Sequence, residues 1–233
     1  MSDHSTGQFD VALQIAGTAP SDIKSLSANP SLSRSETARQ IYMRMKRAID
    51  ILVTLLVAPA VLLVVAVAAL AVLCLMGRPI FFAQDRVGLN GRVFRMYKLR
   101  TMTLGERVVG HATVAGDPRI TPLGALLRRT HIDELPQLFN IIVGDMTLIG
   151  PRPEQPHLVA YYREHIAGYD QRHTVVPGLS GLSQVCYGYA ADLEETRRKV
   201  VYDLRYVESF GPKLDAYILA QTIRIYADPR YVR

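Results

Sequence analysis

The sequence predicts an α+β protein, mostly helical. It has an N-terminal re-entrant membrane helix broken at a proline, interfacial amphipathic helices, and a compact domain carrying a small β-hairpin. Three observations lead there. Ile51 to Met76 hold no charged residue. Asn90-Gly91 lies between two runs rich in Phe, Val and Tyr, a strong hairpin signal. Beyond it, apolar residues recur at helical spacing in segments punctuated by Pro and Gly.

Residues 1 to 38 are rich in Ser, Thr, Ala and Gly without a sustained period, which reads as a mobile tail. A basic flank and the membrane helix follow over 39–77, and a domain occupies 78–233. The 26 apolar residues from Ile51 to Met76 would measure about 39 Å as one straight helix, so length alone allows a plain span of a core about 30 Å thick. Starting about 50 residues into the chain and too long for a signal's apolar core, the segment does not read as a secretory signal. Two features favour re-entry over spanning. Ala58-Pro59 lies inside the segment, where proline removes a helix hydrogen bond and collides with the preceding turn. Both flanks are basic: Arg39, Arg44, Lys46 and Arg47 before it, Arg78, Arg86, Arg92, Arg95, Lys98 and Arg100 after it. Lys and Arg prefer the cytoplasmic side, so a helix that bends at Pro59 and returns satisfies both. Thr54 is a candidate partner for backbone groups freed at the bend.

Phe81 to Leu99 reads as the hairpin, with a type I′ turn at Asn90-Gly91. Residues 103 to 117 read as a surface loop, and Asp117-Pro118 and Pro122 as turns. A short helix is expected from Leu123 to Arg129. Leu135, Leu138, Phe139 and Ile142 form one stripe of a second helix, with Pro136 tolerated in its first turn. A third runs from near Pro156 to Ala167, and Pro177-Gly178-Leu179-Ser180-Gly181 reads as a tight loop. Asp192 to Phe210 is helical, with Leu193, Val200, Leu204 and Val207 on one face and support from the Glu194/Arg198 and Glu195/Lys199 spacings. Leu214 to Tyr226 is broadly apolar, a core helix or one lying on the bilayer.

Composition narrows the function. The 233 residues are 49% hydrophobic with a net charge of +6, a mean hydropathy of +0.11 and a pI of about 9.4. A basic surplus suits nucleic acid, anionic membrane or phosphorylated small molecules. The apolar segment favours the last two, and no nucleic-acid reading motif or aromatic stacking row is present. Two cysteines without a CxxC pair imply no disulfide framework. The histidines form no HExxH pattern, which argues against zinc.

Asp133 and Glu134 stand between Arg128-Arg129 and Pro151-Arg152-Pro153. Thr130 and Asp133 have capping-box spacing, so a structural role is open to Asp133. A helix start also stabilises a carboxylate and presents N–H groups to anions, so Asp133 is expected to be ionised, as a nucleophile or metal ligand must be. A carboxylate attacking a diphosphate needs nearby cations. Arg128 and Arg152 are the candidates, Arg152 stiffened by its flanking prolines. Lys98 and Arg100 add two more. Arg128 and Arg129 also suit a lipid-headgroup patch, as do Lys98 and Arg100. Mg²⁺ (or Mn²⁺) needs only one or two carboxylates beside the phosphates, which Asp133 and Glu134 could supply. Gln184 and Asp203 could reach a nucleotide, although each suits a structural role.

An ordered set of motifs now stands out: Lys46-Arg47-Ala48-Ile49-Asp50, Pro79 to Phe82, Gln84-Asp85-Arg86-Val87-Gly88, Lys98-Leu99-Arg100-Thr101-Met102, and Asp117-Pro118-Arg119-Ile120-Thr121. It continues with Asp133-Glu134-Leu135-Pro136-Gln137, Gly144-Asp145-Met146, Gly150-Pro151-Arg152-Pro153, Pro177-Gly178 and Tyr202-Asp203-Leu204. Over about residues 44 to 226 the chain resembles the monotopic phosphoglycosyl transferases, the bacterial sugar transferases that start surface-glycan and exopolysaccharide assembly. The resemblance implies that a UDP-sugar gives its sugar-1-phosphate to a polyprenyl (undecaprenyl) phosphate, releasing UMP, at the cytoplasmic face of the bacterial inner membrane. It implies Asp133 as nucleophile, with a covalent phosphosugar intermediate, and Glu134 as its assistant. Arg128 and Arg152 are implied as phosphate binders, then Lys98 and Arg100, with Gln84, Arg86, Gln184 and Asp203 as weaker nucleotide or structural positions. Ala58-Pro59 departs from the family's frequent Ser-Pro at the bend. The chain resembles the family's minimal form, lacking the multi-span N-terminal region of many relatives. Membrane lipids are implied partners and nucleic acid is not; a homo-oligomer has no signature either way. Tyr187 to Asp192 is the region expected to shape sugar choice. The competing reading is a non-catalytic membrane-tethered scaffold that binds lipid or nucleotide.

Overall fold

The computed structural model describes residues 33–104, 117–187 and 192–227. Most of the expected tail and of the 103–117 loop, and residues 188–191 of the expected specificity region, lie outside them. Helix α1 runs from Ser33 to Met76 with Pro59 inside it, so it begins within the stretch assigned to the tail. Among the described residues it is the one helix long and apolar enough to cross a membrane. Its middle is bare: Leu56, Leu62 and Leu63 are exposed. Its two ends are not. Near the start, Arg39 donates to the Val207 carbonyl (2.7 Å), Lys46 pairs with Asp215 (2.5 Å) and Arg47 donates to the Ile142 carbonyl (2.7 Å). Near the end, Ala68 and Val72 pack with Leu99 and Leu127. Thr54 is fully buried, and its hydroxyl has no hydrogen-bond partner among the described residues. The expected partnership of its hydroxyl with backbone groups near Pro59 is not formed.

Strands β1 (Phe81–Val87) and β2 (Val93–Leu99) pair antiparallel in register from Phe81 opposite Leu99 to Val87 opposite Val93. The Arg92 N–H donates to the Leu89 carbonyl around Asn90 (φ 54°) and Gly91 (φ 78°). These positive φ values are what a type I′ turn demands; the turn sits within a five-residue connection rather than a two-residue one. Helix α2 (Pro122–Arg129) has Thr121 as N-cap, its hydroxyl accepting from the Gly124 N–H (2.9 Å). A 3₁₀ turn (Ile132–Glu134) and helix α3 (Gln137–Val143) follow.

Helix α3 turns its apolar stripe the unusual way. Phe139 and Ile142 are exposed, whereas Gln137, Asn140 and Ile141 are buried. Asn140 explains part of this: its side chain accepts from the Tyr97 N–H (3.2 Å) and donates to the Arg95 carbonyl (2.7 Å), so it stitches α3 onto β2.

The Pro177–Gly181 segment is no simple loop. Strand β3 (Thr147–Ile149) and strand β4 (Gly178–Ser180) pair in parallel. A Cβ at Gly178 would lie 2.1 Å from the Gly150 nitrogen, and one at Gly181 would lie 2.3 Å from the Gly150 oxygen, so glycine is required for backbones to pass this closely. Helices α4 (Pro156–His165), α5 (Leu182–Cys186), α6 (Leu193–Ser209) and α7 (Pro212–Ala227) complete the domain. Ile149, Leu182, Tyr206, Leu214 and Ile218 form one core. Val87, Val159, Tyr169 and Val200 form a second. Asp192 caps α6 by accepting from the Glu195 N–H (2.7 Å). Along α6, Arg197 lies 3.9 Å from Glu194, and Lys199 reaches Glu154 at 2.9 Å.

Candidate active site

The corner begins where α2 ends. Thr130 donates to the carbonyls of Leu126 and Leu127, so it closes α2 and does not cap Asp133. His131 takes φ 55° and redirects the chain into the 3₁₀ turn that carries Asp133 and Glu134. The two carboxylates therefore precede α3 and are not in its first α-turn.

Glu134 is locked. Its Oε1 accepts from Lys98 Nζ (2.6 Å) and Arg152 Nη2 (2.6 Å), and Oε2 has a 3.3 Å contact with Arg152 Nη1. Burial works to raise its pKa, but Arg152 and Lys98 outweigh that and hold it well below the ordinary carboxylate range. Glu134 in turn holds Arg152 above its usual value, while burial lowers Lys98.

Asp133 is different. It is 6% exposed, and among the described residues its carboxylate accepts no hydrogen bond from a side chain. Burial pushes its pKa up to about 6; Lys98, Arg128 and Arg152 pull down and Glu134 pushes up further. The expectation of a carboxylate stabilised by a helix start is thus corrected: dehydration outweighs the neighbouring cations, so Asp133 ionises near pH 6.

Arg128 donates through Nε to Thr101 Oγ1 (2.8 Å). That bond orients the guanidinium. Arg100, by contrast, is 5% exposed and donates to the carbonyls of Met76, Gly77 and Arg78. It caps the C-terminal end of α1, where a cation meets unpaired carbonyls, and belongs to the frame.

The loop bearing Arg152 is held from behind. Arg172 donates to the Arg152 carbonyl (2.8 Å) and pairs with Asp203 (2.6 Å). Arg86 donates to the Pro153 carbonyl (3.0 Å) and to Gln84 (2.7 Å), and Gln84 donates to Gln155 (2.8 Å). Gln184 donates to the Leu179 carbonyl (3.3 Å). In this structure Gln84, Arg86, Gln184 and Asp203 occupy framing positions. Of the residues read from the sequence, Asp133, Glu134, Lys98 and Arg152 converge, with Arg128 acting electrostatically on Asp133. Sequence reasoning missed Thr101 as the group that aims Arg128, and missed Arg172, whose partners Arg152 and Asp203 are 20 and 31 residues away.

A buried carboxylate thus lies beside a lysine and two arginines, on a domain that carries one long apolar helix. Residues 41–228 match the model of the bacterial sugar transferases, and the chain belongs to that family. It is 42% identical over 185 residues to UDP-N-acetylgalactosamine-undecaprenyl-phosphate N-acetylgalactosaminephosphotransferase of Aeromonas hydrophila, covering 79% of this chain and 44% of the relative. It is 38% identical over 186 residues to UDP-glucose:undecaprenyl-phosphate glucose-1-phosphate transferase of Escherichia coli (strain K12), covering 77% and 39%. It is 39% identical over 185 residues to UDP-glucose:undecaprenyl-phosphate glucose-1-phosphate transferase of Caulobacter vibrioides, covering 76% and 68%. The chain thus spans less than half the length of the first two relatives.

Proposed function

We propose that this protein transfers a sugar-1-phosphate from a UDP-sugar to undecaprenyl phosphate at the cytoplasmic face of the bacterial inner membrane, as the first membrane step of exopolysaccharide or related glycan assembly. The observation that carries the reading is the contrast between Asp133, left without a counter-ion of its own, and Glu134, clamped by Lys98 and Arg152. Ionised Asp133 attacks the phosphorus attached to the sugar. A carboxylate O–P bond forms, the bridging P–O bond breaks, and UMP leaves with the electron pair. The acceptor's phosphate oxygen then attacks the same phosphorus, giving the lipid diphosphate sugar and freeing Asp133. Splitting the transfer lets two anionic substrates meet the same cations in turn. Arg128 and Arg152 steady the phosphate oxygens, and Lys98 sets the position of Glu134.

A magnesium ion suits this donor set. No group of three or more His, Cys, Asp or Glu lies together among the described residues, so a full protein cage is not at hand. Asp133 and the loosely engaged Oε2 of Glu134 offer the one or two carboxylates that Mg²⁺ takes when phosphates fill its other positions. When bound it would neutralise diphosphate charge.

The re-entrant course of α1 is part of the proposal. The contacts from Arg39 to the carbonyls at 76–78 would span about 56 Å of straight helix, against about 40 Å for the diameter of a compact domain of this size. Both ends rest on the domain while the middle, around Pro59, is bare. A bend reconciles these facts. Exposed Leu126, Phe139, Ile142 and Val143 add an apolar face suited to the bilayer surface.

The deciding experiment incubates purified protein with a UDP-sugar and Mg²⁺ in the absence of lipid. The expected result is about one equivalent of UMP and a phosphosugar adduct that is absent from Asp133→Asn and after chelation. UMP release without an adduct excludes the two-step route, and no turnover with any UDP-sugar and acceptor favours the scaffold. For topology, cysteines placed at residues 40 and 90 are expected to label from the same side; opposite sides would mean a spanning helix.

A further inference from the structure

Helix α7 carries a feature that the donor chemistry does not use. Leu219, Ile223 and Tyr226 are 49%, 60% and 46% exposed, and their spacing of four and three residues puts them on one face. The adjoining face of α7 is anchored. Leu214 and Ile218 are in the core, and Thr222 Oγ1 lies 2.6 Å from Ser180 Oγ on β4. The exposed stripe is therefore held in place, and it ends at the site. The Tyr226 ring meets the His131 ring edge-on at 4.5 Å between centroids, and His131 is two residues before Asp133. The Tyr226 phenol also feels the charges of Glu134, Arg152 and Asp133. A three-residue apolar track thus leads to a cluster of Lys98, Arg128 and Arg152.

Resting on the transferase reading above, we propose that the Leu219–Ile223–Tyr226 face of α7 seats the first isoprene units of the lipid acceptor and delivers its phosphate to Asp133 past the His131–Tyr226 pair. Charge complementarity selects this occupant. A ligand with a hydrocarbon tail and an anionic head matches a surface that is apolar along α7 and cationic at its end. A uridine diphosphate has no apolar tail with which to cover Leu219 and Ile223. The branched chain supplies that, and burying its methyl and methylene groups is favourable. The His131–Tyr226 ring pair offers hydrocarbon contact where the track meets the site.

The test separates the two half-reactions in the full chain reconstituted in detergent or nanodiscs. Tyr226→Ala and Ile223→Ser are each compared with wild type for adduct formation from a UDP-sugar and for discharge of that adduct to undecaprenyl phosphate. The expected result is a rise of about tenfold or more in KM for the lipid, with the KM for the UDP-sugar within about twofold, and recovery of the lipid KM in Ile223→Leu. The defect is expected to vanish when the acceptor is a short alkyl phosphate, which cannot reach along α7. Equal losses in adduct formation and discharge would assign this face to the donor or to folding and overturn the inference, as would an unchanged lipid KM. Failure of the wild type to form any adduct would instead remove the covalent reading beneath it, and the inference with it.

Discussion

Two carboxylates in this molecule sit among the same kinds of cation and meet opposite fates. Glu154, in the loop behind the site, accepts from Lys199 (2.9 Å) and lies 3.6 Å from Arg86. Burial pushes its pKa up, but Lys199, Arg172 and Arg86 bring it down to about 2. Asp133, in the corner in front, is as deeply placed but has no side-chain cation bonded to it, and its pKa rises to about 6. Counter-charge at Glu154 is complete, and the result is a rigid loop that presents Arg152. At Asp133 it is withheld: the cations act at a distance, and Glu134 takes the direct bonds of Lys98 and Arg152. Neutralising a carboxylate holds a frame together, whereas leaving one short of partners leaves it a reactive oxygen for an electrophile whose own charges the remaining cations can meet.

The largest expected effect is at Asp133. Asp133→Asn should lower transfer at least a thousandfold, measured as labelled sugar entering lipid. It should also make the apo protein more stable. The folded pKa lies above the unfolded value, so ionisation costs stability that is lost as pH rises from about 4 through about 6. With about 1.4 kcal/mol per unit, the neutral amide should recover up to about 3 kcal/mol near pH 7. A thermal melt in which the variant loses stability would break the comparison.

Next is the pH dependence of the first step. Single-turnover adduct formation in the absence of acceptor lipid should rise with pH through about 6, as Asp133 loses its proton. Glu134→Gln should cut the rate about a hundredfold, and move that limb to lower pH, because it removes a charge that raises Asp133 and frees two cations that lower it. An unmoved limb would mean that another group titrates.

The smallest effect is expected behind the site. Lys199→Met should cost about 1–3 kcal/mol by leaving Glu154 with fewer partners, with transfer reduced less than at Asp133 or Glu134. Because the folded pKa of Glu154 is depressed, its stabilisation is complete above about 4.5 and is lost as pH falls towards 2. In the variant, acid unfolding should begin at higher pH. A variant as inactive as Asp133→Asn, yet normally folded, would make Lys199 part of the chemistry.

Much of the fold was legible because local rules sufficed. Asn90-Gly91 tolerates positive φ, so the hairpin could be placed. Helix α2 was expected from Leu123 and begins one residue earlier, at Pro122, and Asp192 starts α6 through a short-range hydrogen bond. The parallel pairing of β3 with β4 was not legible: it joins residues about thirty positions apart, and its glycines look like those of any turn. Helix α3 misleads a soluble-protein reading, since its apolar stripe is largely the exposed side. Arg100 looked like a phosphate ligand from its neighbours Lys98 and Thr101, but only the tertiary structure puts the carbonyls of residues 76–78 around it.

By itself, the sequence determined the membrane association, the family, and the acid pair with Arg128, Arg152 and Lys98 as its cations, because residue type and order are written in it directly. Tertiary structure alone decided which carboxylate is compensated and which is not. Ionisation depends on burial and on distances of a few ångströms between residues far apart in the chain, and these exist only after Lys98 of the hairpin and Arg152 of the loop have closed on Glu134.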